Sequence, residues 1–187
     1  LALGEGPGGA DAPAARALAG VPVTNARDAL VAFARETRRQ HDEHKKAFQA
    51  QTKALDANAT VQDAPNPKFL PLVATADLST AAKLVDFAAV LEKVATDSYL
   101  LNLTMLRDTR TKAIMGSVMA VEAQHLATLR TVGALLAGGA PELVAVPLPL
   151  SATMKLPPAT GRAGFPDALH TVGGADLVAD PASGAVR

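Results

Sequence analysis

The chain predicts an all-α fold, a bundle of long helices, and three observations carry that reading. Of its 187 residues 49% are hydrophobic, yet only 3% are aromatic and tryptophan is absent, so the core is expected to be Ala, Leu and Val. That composition suits packed helices better than a sandwich or barrel, in which β-branched and aromatic residues should be enriched. Over three long stretches apolar residues recur at intervals of three and four, which is one face of an α-helix. Proline and glycine cluster between these stretches rather than inside them.

Residues 1–24 are rich in Gly, Ala and Pro and read as an irregular N-terminal segment. Within it Asp11 as cap, Pro13 in the first turn and Gly20 as stop allow a short helix. The sequence opens at Leu1 without methionine. Leu-Ala-Leu-Gly is therefore read either as the end of an export signal or as the tail of something upstream.

Thr24 or Asn25 then caps a long helix reaching about Ala57. Its face carries Leu30, Phe33, Thr37, His41, His44, Phe48, Gln51 and Leu55, so both histidines fall in the seam. Arg35, Arg38, Arg39, Glu43, Lys45 and Lys46 are expected mostly on the charged side.

Residues 58–77 contain Ala64-Pro65-Asn66-Pro67 and Leu70-Pro71, which rules out one continuous helix. A connection this long between helices lying side by side suits a crossover better than a hairpin. Asp77 or Ser79 is expected to open the next helix, with Val85, Ala88, Glu92, Ala95, Tyr99, Asn102 and Leu106 on one face. After a tight connection near Arg107–Thr109, the last helix aligns Met115, Val118, Glu122, His125, Leu129, Val132 and Leu136. Gly138-Gly139 should end it. The bundle domain is thus placed at 25–138 and an extended tail at 139–187, punctuated by Pro147, Pro149, Pro157, Pro158, Pro166 and Pro181. Its apolar residues, such as Val146, Leu148, Leu150 and Phe165, are expected against a surface, of the same chain or of a neighbouring subunit.

Several functions are excluded at once. With 18 acidic and 18 basic residues the formal charge is zero, so there is no basic footprint for nucleic acid. Without cysteine there are no disulfides, thiolate metal sites or cysteine nucleophiles. No run of about 18 apolar residues exists to span a membrane. No Gly-rich phosphate loop or serine nucleophile motif occurs.

What remains is a set of polar residues on apolar stripes. Glu122 and His125 cost several kcal/mol when buried unless they are paired or bind metal. A Glu-x-x-His pair on the inner face of a bundle helix is one way such proteins hold metal. When the helices at 25–57 and 110–138 are superimposed, His41-x-x-His44 overlies Glu122-x-x-His125, with Phe48 opposite Leu129 and Leu55 opposite Leu136. An ancestral duplication of a helix pair would leave that pattern. Glu92 and Tyr99, two turns apart, would look into the same interior. Tyr99 is a candidate catalytic residue, as a donor to a ligand or an oxidisable neighbour, or else a core residue with its hydroxyl satisfied. With Glu92, Glu122, His125, His44 and His41 the candidate ligands number three imidazoles and two carboxylates. That set suits one ion at least as well as a bridged pair. In the competing reading Glu92, Tyr99, Glu122 and His125 form a metal-free polar core.

Residues 25–138 resemble the small exported bacterial ferritin-like domain proteins. The resemblance is carried by the histidine-bearing helix, the Asn66-Pro67-Lys68-Phe69 crossover, Leu91-Glu92 with Tyr99, and Val121-Glu122-Ala-Gln-His125. It implies a ferritin-like four-helix bundle whose site takes Glu from the first and third helices and Glu-x-x-His from the second and fourth. Glu92 then matches the third-helix glutamate, Glu122 and His125 the fourth-helix pair, and His44 the second-helix histidine. His41 stands where the pattern has Glu, and no helix before residue 25 supplies the first-helix glutamate; Glu5 lies in a Gly-rich segment. The resemblance further implies export to the periplasm or cell envelope and iron or manganese, zinc being less favoured, unless the site holds no metal. Two functions follow. One is an accessory or interaction subunit with a degenerate metal site, its open seam and tail engaging a protein partner or a second copy. The alternative is a ferroxidase-type oxidase handling iron or manganese. The missing helix would come from upstream or from the partner.

Overall fold

The computed structural model describes residues 13–144. Glu5, His170 and the expected tail beyond residue 144 lie outside the described residues. Among those described, all regular structure is helical: α1 (Pro13–Ala19), α2 (Thr24–Leu55), α3 (Phe69–Thr75), α4 (Ala81–Met105), α5 (Thr109–Ala137) and a 3-10 turn at Pro141–Leu143. The all-α expectation holds, with α2, α4 and α5 as its three long helices. At 32 residues α2 is about 48 Å long.

Local chemistry sets the helix boundaries. Thr80, not Asp77 or Ser79, caps α4, its Oγ1 accepting from the Lys83 amide at 3.3 Å. Asp77 instead turns the chain just before it, accepting from the Ser79 amide at 3.0 Å. At the start of α5 the Asp108 carboxylate accepts from the Thr111 amide at 2.7 Å, the usual work of an N-cap. Gly139, at φ 71°, closes α5 in the left-handed conformation that glycine adopts without a Cβ penalty, and the Ala140 amide reaches back to the Leu135 carbonyl at 2.9 Å.

The crossover contains an element that the proline pattern obscured. Helix α3 forms although Pro71 lies inside it. Pro71 is its third residue, where an amide has no partner within the helix, so the missing N–H costs nothing there. The helix follows a turn in which Asn66 accepts from the Lys68 amide at 3.0 Å through its side chain.

The chain divides into two compact units, and α2, α4 and α5 each contribute to both. Within the described residues one unit takes 13–39, Asp77–Val90 and 125–144. Its core is almost wholly apolar: Ala14, Ala17, Leu18 and Val21 of the N-terminal segment close over Ala26, Leu30, Ala81, Leu84, Val85 and Leu129. Each buried Leu or Val there contributes about 1.5–3 kcal/mol. The other unit takes Gln40–Ala76 and Leu91–Gln124. Its buried residues include Val94, Met115 and Val118, but also Gln51, Glu92, Thr96, Asp97, Thr111 and Glu122. So polar an interior costs stability unless each group is satisfied.

Part of it is satisfied structurally. The Gln51 amide donates to Asp108 Oδ1 at 3.1 Å and to Thr111 Oγ1 at 3.0 Å, joining the end of α2 to the start of α5. Asp97, with none of its surface exposed, accepts from Lys93 Nζ one turn earlier at 2.7 Å. Leu55, expected in the seam, is 60% exposed at the very end of α2.

Candidate metal centre

The candidate residues lie on α2, α4 and α5; His41, His44, Glu92, Tyr99 and Glu122 belong to the polar unit, and His125 is the first residue past its boundary on α5. On α5, Met115, Val118, Glu122, His125 and Leu129 are all buried, as the three- and four-residue spacing predicts. Glu92 is buried on α4. The side chains of Glu122 and Glu92 are only 3% and 8% exposed. Two carboxylates so far from water need cationic or hydrogen-bonding partners.

Both histidines of α2 supply them. His41 Nε2 donates to Glu122 Oε2 at 3.1 Å and lies 3.5 Å from Glu92 Oε1. His44 Nδ1 donates to the other oxygen, Glu122 Oε1, at 3.0 Å. An ionised carboxylate only accepts, so each ring nitrogen facing it carries a proton. Hydrogen bonds to Glu122 and then Glu92 raise the His41 pKa to about 10, against the opposing effect of burial. The carboxylate that both histidines contact comes from another helix, α5.

His125 follows Glu122 by one turn on the unbroken α5, and its ring meets Phe33 edge to face with centroids 6.0 Å apart. One donor atom from each of His41, Glu92, Glu122 and His125 lies within 4.8 Å of the others. Four donors set tetrahedrally about 2.1 Å from one ion lie about 3.4 Å apart, so the widest separation here would close by about 1.4 Å when Fe, Mn or Zn binds. Mixed imidazole and carboxylate donors are what these metals accept. The residues therefore fit a metal ion.

Tyr99 lines the same cavity, of about 290 Å³, with His41, His44, Glu92 and Glu122. Its ring stacks on Phe48 at 5.8 Å and 22°. Burial, and then the charges of Glu122 and Glu92, push its hydroxyl well above the ordinary phenol value, so it stays protonated. Of the six candidates from sequence, four have a donor atom within 4.8 Å of the others, His44 holds Glu122, and Tyr99 lines the cavity.

Sequence reasoning missed Lys45 and Asp97. Lys45 was assigned to the charged face, yet it lines the cavity; it is one turn after His41, which was the available signal. For Asp97 the i,i+4 pairing with Lys93 was visible, but not that the pair would be covered.

Three long helices around a carboxylate–histidine cluster define a helical-bundle protein with a metal-type interior. The chain belongs to the ferritin-like domain family, whose model matches residues 9–134. Comparison with the curated proteins gave no match, and neither did comparison with the solved structures.

Proposed function

We propose that this ferritin-like protein is an accessory or interaction subunit whose centre holds a single divalent ion, iron or manganese before zinc, instead of a two-metal oxidase site. The observation that carries the reading is the position of His41, whose Nε2 contacts both carboxylates of the cluster. An imidazole, 46% exposed, thus stands at the edge of the cluster where the family pattern would add a further glutamate. Glu92 and Glu122 neutralise one dication; a second would remain uncompensated. His41, Glu92, Glu122 and His125 would hold the ion, and His44 would orient Glu122, as outer hydrogen-bond partners of metal ligands do. An interaction role is supported by α3, a Phe-Leu-Pro-Leu-Val helix without one buried residue, with Leu70 and Val73 exposed. Residence in the periplasm or cell envelope is part of the same proposal and is tested by fractionation of the source cells.

Elemental analysis of natively purified, desalted protein tests the reading. The expected result is one equivalent per chain in the wild type, none in Glu122→Gln, and unchanged helix content in both. The second reading, a ferroxidase-type oxidase, is favoured by Tyr99 in the cavity wall. Bound iron would supply one-electron chemistry with oxygen beside that phenol. Two metal equivalents together with oxygen-dependent Fe(II) oxidation would decide for it.

A further inference from the structure

A second, larger cleft adjoins the cluster. The crossover segment 60–65 lies over α2 and leaves a cavity of about 650 Å³, within the range of small-molecule pockets. It is lined by Asp42, Gln49, Thr52, Thr60 and Gln62 among others, and it shares His41, Lys45 and Phe48 with the cavity at the carboxylates. The shared wall therefore offers an imidazole, an ammonium and an aromatic face. The crossover is tied down there at two points: Gln49 Nε2 donates to the Gln62 carbonyl at 2.8 Å, and Lys45 Nζ pairs with Asp63 at 3.2 Å.

We propose that this crossover cleft binds a small organic carboxylate, which takes the place of Asp63 on Lys45 and lays its apolar body against Phe48. Asp63 is the chain's own stand-in for that ligand. Its side chain is 81% exposed and that of Lys45 44%, so the pair is a surface ion pair, weak enough for another carboxylate to exchange with it. Asp42, the cleft's other acid, lines only the outer cavity and not the shared wall. A molecule so placed would reach the metal cluster past His41. The inference goes beyond the metal reading and does not depend on it, because the binding groups are present without metal.

The test uses metal-free protein and 4-fluorobenzoate as probe, followed by fluorine NMR, with 4-fluorobenzamide as the neutral control. The acid is expected to bind and the amide not. Lys45→Met should weaken binding about two- to fivefold, the worth of a solvent-exposed ion pair. Asp63→Asn should tighten it about two- to fivefold, since the internal competitor is gone. A cleft in which Asp63 served only to hold the crossover would bind worse, not better, after that change. No binding at millimolar acid, equal binding of the amide, or weaker binding by Asp63→Asn would each overturn the proposal, whatever the metal content proves to be.

Discussion

Glu122 is held at both oxygens by α2, by His41 Nε2 at 3.1 Å on one and by His44 Nδ1 at 3.0 Å on the other. This double contact gives a hydrogen-bond partner to each oxygen of a carboxylate whose side chain is only 3% exposed. Four expectations follow from it and its surroundings.

Replacing His44 by leucine keeps the volume and removes the donor to Glu122 Oε1. Losing this hydrogen bond to a buried carboxylate should cost about 1–3 kcal/mol of folding stability, measured by urea unfolding. Metal should still bind at the same stoichiometry but about 10- to 100-fold more weakly, because His44 positions a ligand. Unchanged affinity would show that Glu122 needs no such partner.

The metal-free protein should lose stability as pH rises. The folded pKa of His41 lies above its ordinary value of 6.5, at about 10, with Glu122 as the first cause. A raised value means that folding favours the protonated form, so this contribution is complete below about 6.5 and disappears as pH climbs through 10. Melting temperatures of wild type and His41→Gln should therefore converge toward pH 10 and separate toward pH 6.

Metal affinity should move the other way. An ion can use His41 Nε2 only after that nitrogen gives up its proton, and that proton is tightly held. One proton is then released per ion, and apparent affinity rises about tenfold per pH unit between 6 and 9. Isothermal titration of manganese in buffers of different ionisation heat counts the proton directly. His41→Gln should flatten the slope.

Gln51→Leu should destabilise the polar unit without altering the metal site. The substitution removes the bonds to Asp108 and Thr111 that join α2 to the α5 cap. The expected loss is about 1–3 kcal/mol, and Asp108→Ala should lose about 1 kcal/mol through the cap alone. Metal stoichiometry should stay the same in both.

Much of this was legible in the chain. The three long helices stand where the spacing placed them, because a stripe repeating every three to four residues has one way to be buried. On α5 the predicted seam from Met115 to Leu136 is buried as far as Leu129; Val132 and Leu136 are only partly buried, and Leu135 is covered instead. The boundaries were less legible: three polar residues, Asp77, Ser79 and Thr80, compete for the start of α4, and only the backbone path selects Thr80. Helix α3 was hidden by Pro71, whose effect depends on which turn it occupies.

By itself, the sequence determined the class of fold and the identity of the polar residues that share its interior faces, since both follow from periodicity along single helices. Only the tertiary structure decided how those residues pair. His41 meets Glu122 because α5 brings that carboxylate to 3.1 Å, and helical spacing carries no information about rotation between helices. The same holds for Lys45, whose sequence neighbours are charged and exposed, but whose place beside the crossover makes it part of a cavity wall.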